Sequence, residues 1–162
     1  MTQERNTYLS FTLEDNQYAL AVDAVQRVVR AVHITELPKV PNVVHGIINF
    51  EGKVIPVCNA RSRFHLPARE IALSDQFIIA RIPKRTVALA VDATTGLIEL
   101  SDNLIVPSEK ILPNIEYIKG VIKLESGLHL IHDLEQFLSL EEEAQLDEAM
   151  KTASFPENND QS

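Results

Sequence analysis

Ala19-Leu-Ala-Val-Asp-Ala24 recurs unchanged as Ala88-Leu-Ala-Val-Asp-Ala93, sixty-nine positions further along the chain, and that recurrence decides the fold. Working outward at the same offset, Tyr8-Leu-Ser-Phe-Thr-Leu13 lies over Phe77-Ile-Ile-Ala-Arg-Ile82, and Pro38 falls on Pro107. Five extra residues in the second half shift the offset to 74. Val44-His-Gly-Ile-Ile-Asn-Phe-Glu51 then lies over Ile118-Lys-Gly-Val-Ile-Lys-Leu-Glu125, and Gly46 meets Gly120. Ala, Leu and Val are common enough to inflate such matches, but six identities in a row mark an internal duplication.

Between residues 7 and 133 apolar residues alternate, or cluster in Val- and Ile-rich runs of four to seven, broken by short polar or Pro-containing turns. The pattern predicts strands at 7–13, 17–23, 25–32, 45–50 and 53–59, and again at 76–82, 86–92, 95–100, 117–124 and 128–133. Two such five-stranded sheets, each small for independent stability, are expected to curl into barrels that remove most free edges and bury a shared apolar seam. The first barrel is expected at about 7–66 and the second at about 67–133, with strands free to cross between halves. Leu134, Phe137 and Leu138, at i, i+3, i+4, predict a helical segment over 134–150, with 1–6 and 151–162 as flexible ends around a single domain at 7–140. Ser139 and Glu142 stand in the S-x-x-E capping-box arrangement.

The 162 residues carry 15 basic and 23 acidic side chains, a net charge of −8. An acidic balance argues against nucleic acid or an anionic membrane as partner. The excess is concentrated at the end: one basic and seven acidic residues follow residue 140. The acidic run Glu141-Glu142-Glu143 reads first as the start of a helix and second as a docking surface for a basic partner. One cysteine, Cys58, excludes an internal disulfide and a Cys-based zinc cage. The polar opening MTQERNTYL has no apolar stretch of a signal peptide, and no long apolar window suggests membrane insertion, so a soluble cytoplasmic protein is expected.

Enzyme signatures are missing. The chain has no G-x-x-x-x-G-K-[ST] loop, no G-x-G-x-x-G, no G-x-S-x-G elbow and no H-E-x-x-H, so no catalytic residue, cofactor or metal ligand is expected. His129 and His132, three apart on a strand, point to opposite faces and do not share an ion. Cys58, inside the run VIPVC, reads as a buried inert thiol, and His33, His45 and His65 as isolated surface or turn residues.

Leu37-Pro-Lys-Val-Pro41, followed by Val44-His-Gly-Ile-Ile-Asn-Phe-Glu-Gly-Lys-Val-Ile-Pro-Val57, resembles the signature stretch of CheW-type chemotaxis coupling proteins. The Tyr8–Leu13 and Tyr18 strands and the closing Ile131-His-Asp-Leu134 are similar to the same family. Gly52 suits the positive φ of a tight hairpin turn, and Pro56 suits an edge strand whose amide need not donate. The resemblance implies a mainly β fold of two pseudo-repeated five-stranded SH3-like barrels with a short C-terminal helical segment. It also implies a non-catalytic adaptor that binds the regulatory domain of a CheA-type histidine kinase and the cytoplasmic tip of methyl-accepting receptors, recruited to arrays at the inner membrane. The alternative is the same adaptor fold in a divergent array, serving pilus motility or a gene-regulatory relay.

Carried over by resemblance, Val25, Arg27 and Glu51 are receptor-groove candidates, and Leu37, Val40 and Pro41 a kinase-facing apolar patch. Their positions are equally consistent with Val25 in the core and Leu37 and Val40 plugging a barrel end. Two charges depart from the family pattern, with Arg27 where an acidic residue is usual and Glu51 where Arg is usual. They are expected to face each other as an inverted ion pair, so that the pairing survives while the field at the groove changes sign. Asn59, where the family tends to show Asp, keeps acceptor geometry without the charge.

Overall fold

Residues 5–107, 110 and 117–152 are described by a computed structural model. Its elements are β1 (Arg5–Leu13), β2 (Asn16–Ala21), β3 (Val25–Arg30), β4 (Val44–Phe50), β5 (Lys53–Asn59), α1 (Ala60–Arg63), β6 (Gln76–Ile82), β7 (Arg85–Val91), β8 (Ala93–Ser101), β9 (Val106–Pro107), β10 (Ile118–Leu124), β11 (Gly127–His132) and α2 (Leu140–Thr152). All ten predicted strands form, with bounds displaced by at most two residues, and β9 is added.

The strands make two sheets, ordered β8-β1-β2-β11-β10-β9 and β3-β6-β7-β5-β4. The boundary near residue 66 does not separate them. Each half lends its leading hairpin to the other sheet, β1–β2 joining β8–β11 and β6–β7 joining β3–β5. A one-turn 3-10 segment, Val22–Ala24, redirects the chain after β2. The exchange leaves the two hairpins buried on both faces. On one face Tyr8 and Ala19 fill one barrel with Leu100, Ile122 and Ile131, and Phe77, Ile79 and Ala88 fill the other with Ile48, Ile55 and Val57. On the opposite face Phe11, Leu13, Tyr18 and Leu20 meet Ile78, Ala80, Val87 and Leu89 in the seam. Two-sided burial explains why Phe77–Ala80 and Val87–Val91 read as continuous apolar runs rather than as alternation. The seam is a packed core, with Phe11 stacked on Tyr18 at 5.6 Å and Tyr18 on Phe64 at 4.6 Å, and not an open crevice.

The duplication extends to irregularities. The parallel pair Val57↔Ala88 has Ile131↔Ala19 as its repeat equivalent. The β-bulge at Val44/Gly46 is repeated at Ile118/Gly120, and that at Val25/Arg27 at Ser10/Phe11 opposite Thr94 and Gly96. Each barrel is closed by the segment after its third strand: Thr35 bridges Ile47, and Val106 pairs with Val121. That closure needs glycine beneath it. A Cβ on Gly46 would stand 2.4 Å from the Thr35 carbonyl oxygen, and one on Gly120 2.6 Å from that of Val106.

Three expectations are corrected. Arg5 and Asn6 belong to β1, paired with Ser101 and Leu100. The helix starts at Leu140, not at 134, because Ser139 caps it: the Glu142 amide donates to Ser139 Oγ at 3.1 Å and the Ser139 amide to Glu142 Oε1 at 2.9 Å. Leu134 and Phe137 are buried in the main core from a turn rather than from a helical face. Pro56 is on an interior strand, between β4 and β7. It is tolerated because Ile47↔Pro56 is a non-hydrogen-bonded pair by alternation from the Phe50↔Lys53 turn pair, and the β7 pairing starts only at Val57. Of the flexible ends expected at 1–6 and 151–162, residues 1–4 and 153–162 lie outside the described residues, while Lys151 and Thr152 close α2.

Candidate functional site

Arg27 on β3 and Glu51 in the β4–β5 turn form the expected pair, Nη1 to Oε2 at 2.5 Å, with the guanidinium 5.7 Å from the centre of the Phe50 ring. The turn is the tight type anticipated from Gly52. Glu51 and Gly52 both have positive φ, 50° and 84°, and the Gly52 amide donates to Asn49 Oδ1 at 3.0 Å. Both side chains of the pair are more than half exposed, 58% and 57%, so the pair is a surface feature and not a buried bridge.

Val25 does not join them. The bulge between Val25 and Arg27 breaks the alternation that would place residues two apart on one face. Val25 stands opposite Ala80 and packs into the seam, whereas Arg27 stands opposite Ile79 on the side of the barrel interior. The three predicted groove residues are therefore split, with Val25 half-buried beside the seam and the ion pair over Phe50 at the end of the first barrel.

Most of the apolar patch turns inward. Leu37 is 7% exposed and Pro41 is buried; Val40 is half-buried. Leu37 packs with Ile47 and with Ala149 of α2, with Val40, Val54 and Met150 around them. The helix covers this patch because Arg63 and Arg85 hold its acidic face. Arg63 pairs with Glu142, and Arg85 with Glu143 at 2.8 Å and with Asp147. Most of the acidic run thus serves the chain's own arginines, which answers the choice between helix start and docking surface in favour of the first. Beneath, burial pushes the Cys58 thiol up to about 12, so it is an inert neutral group.

An ionic cluster that composition did not reveal joins the first half to the second. The buried Arg61 guanidinium, 7% exposed, meets Glu14 and both oxygens of Asp92 at 2.7 and 2.9 Å. Arg69 reaches Asp92 at 2.6 Å, and the Glu14 amide donates to it at 2.8 Å. Burial acts to raise the Asp92 carboxyl, but Arg61, the Glu14 amide and Arg69 together hold it below the ordinary carboxylate range. Asn59, the family departure, accepts from the Arg61 amide at 3.0 Å, a neutral acceptor sufficing for that turn. His132 has the opposite character. It sits among Phe11, Phe64 and Phe137 with neither ring nitrogen hydrogen-bonded, and burial lowers it to about 3. Among the described residues no group of three or more His, Cys, Asp or Glu is placed to hold a metal ion, and no helix is long and apolar enough to cross a membrane.

Two exchanged barrels share a packed seam, with charge pairs and depressions at their margins. The CheW-like domain matches residues 7–142, most of the chain, and the protein belongs to that family. The chemotaxis protein CheW of Rhizobium meliloti is 26% identical over 144 residues, 88% of this chain and 93% of that one. CheW of Thermotoga maritima is 27% identical, over 80% of this chain and 85% of its own. The crystal structure of scaffolding protein TtCheW from Thermoanaerobacter tengcongensis superposes with a TM-score of 0.77 at 28% identity, covering 86% of this chain and 96% of that one.

Proposed function

We propose that the chain is a non-catalytic chemotaxis adaptor that couples methyl-accepting receptors to a CheA-type histidine kinase, working in the cytoplasm at receptor arrays. The observation that carries this reading is family membership across an intact twin-barrel fold. The relatives are named chemotaxis proteins, and that favours this pathway over pilus motility or a gene-regulatory relay.

In this reading the receptor's helical tip meets the exposed Arg27–Glu51 pair at the end of the first barrel, beside the seam margin that Val25 supports. The kinase regulatory domain meets the neighbouring Leu37–Pro41 segment. There Pro38 and Lys39 are exposed and Val40 is partly reachable, while Leu37 and Pro41 hold the segment against the body. The decisive assay measures binding of the full chain to a kinase regulatory domain and to a receptor-tip fragment, with Glu51→Arg and Arg27→Glu tested singly and together. Single changes are expected to weaken receptor binding and the double change to recover it, with kinase binding unchanged throughout. Failure of the unaltered chain to bind either partner removes the reading.

A further inference from the structure

The repeat makes each half a control for the other, and at one place they differ in a way that exposes a site. Asp92 has Asp23 as its equivalent, within the identical six-residue segment. Two of the three groups that donate to Asp92, Arg61 and the Glu14 amide, are missing at Asp23. Arg61 becomes Glu135 at the offset of 74, and Glu14, whose amide donates to Asp92, becomes Pro83, which has no N–H. One backbone contact at the launch point is shared, although α1 is replaced by a turn: the Glu135 amide donates to Asp133 Oδ1 at 3.0 Å, as the Arg61 amide does to Asn59 Oδ1 at 3.0 Å. Asp23 and Glu135 carry no side-chain hydrogen bond or ion pair among the described residues.

Where the Arg61 side chain fills the first half, the second half has a cavity of about 340 Å³. Asp23, Pro83, Asp133 and Glu135 line it. His132 borders it too, 3% exposed, with its ring packed among Phe11, Phe64 and Phe137 and both ring nitrogens buried. Arg81 and Lys119 reach the same rim, but neither forms an ion pair with the three carboxylates, which outnumber them.

We infer that this cavity is a guanidinium site, taking an arginine side chain of a partner protein between Asp23 and Glu135 in the place that Arg61 occupies in the other half. A guanidinium fits because its planar fork matches a carboxylate in two hydrogen bonds, as Arg61 matches Asp92. The inference goes beyond the adaptor reading and does not rest on it.

The test is an NMR titration of the isotopically labelled full chain with Nα-acetyl-arginine amide, alongside the matching lysine and glutamate compounds and free arginine. Saturable shifts are expected at Asp23, His132 and Glu135, weakened about tenfold by Asp23→Asn and clearly weaker for the lysine compound, whose ammonium lacks the fork. A second variant supplies the guanidinium from within. Glu135→Arg is expected to raise the thermal midpoint and abolish the titration, with Asp23→Asn cancelling the gain in that background. Shifts that survive Asp23→Asn, preference for the glutamate compound, absence of saturable binding, or no gain from Glu135→Arg overturn the guanidinium site. Free arginine binding more than about tenfold tighter than the blocked form overturns the assignment to a protein side chain, because its charged termini are absent from a chain-internal arginine.

Discussion

The two barrels agree where the chain crosses itself and differ in side chains away from those crossings, buried or exposed. Gly46 and Gly120 lie under the same closing segment, the bulges fall at equivalent residues, and the two parallel pairs share a register. Yet Arg61 corresponds to Glu135, Cys58 to His132, and the Arg27–Glu51 pair to Gly96 and Glu125. Among the described residues, α2 covers a flank of the first barrel. Sterics thus preserve the repeat at backbone crossings, where no substitute for glycine exists, and charge is free to diverge elsewhere.

The shared feature is the one whose loss costs most. Gly46→Ala and Gly120→Ala each drive a methyl into a carbonyl oxygen that belongs to backbone and cannot rotate aside. Each is expected to cost about 3 kcal/mol or more in urea unfolding, since overpacking forces backbone shifts. Similar losses at the two positions confirm that the closures are equivalent. A large loss at one and none at the other breaks the comparison.

The pair Cys58 and His132 sharpens it through pH. Both are buried, but a neutral thiol is indifferent to mild acid, whereas His132 must stay uncharged to remain inside. Its ordinary value of 6.5 falls to about 3 in the folded chain, so below pH 6.5 the unfolded state binds the extra proton. The stability it allows is complete above pH 6.5 and is lost as pH falls, at about 1.4 kcal/mol per unit until the folded group itself titrates. Denaturation between pH 6.5 and 4.5 should show this slope, largely removed by His132→Phe and retained in Cys58→Val. His45, lowered by burial in the same direction, accounts for a residual slope. A slope that His132→Phe leaves intact places the acid sensitivity elsewhere.

Much of the fold was legible because strand alternation and repeat identity are local signals. The ten strands, the Ser139–Glu142 capping box and the Glu51-Gly52 turn follow from neighbouring residues alone. The exchange of hairpins was not legible, because the same apolar runs satisfy either partner sheet and only three-dimensional closure chooses. Leu134, Phe137 and Leu138 misled for a related reason: helical spacing also fits a turn that drops Leu134 and Phe137 into a core. The split of Val25 from Arg27 depends on a bulge, which shifts a face without leaving any mark on residue type. Nothing near Arg61 or Asp92 in the sequence marks their pairing, although aligning the halves sets Arg61 against Glu135 and signals that one of two equivalent places is built differently.

The smallest expected effect concerns the charge pair that only the first barrel has. Arg27 and Glu51 are more than half exposed, so water screens their attraction and two mobile side chains lose entropy in holding it. A double-mutant cycle on stability, using Arg27→Ala and Glu51→Ala, should therefore give a coupling of about 0.5 kcal/mol. The second barrel already dispenses with such a pair, its turn residue Glu125 having Gly96 at the position of Arg27. A coupling above about 2 kcal/mol would mean that the pair braces the barrel end together with Phe50, because exposed pairs do not reach that value alone. A small coupling, combined with a large effect of the same substitutions on receptor binding, separates the two roles: the pair is retained for what it presents outward.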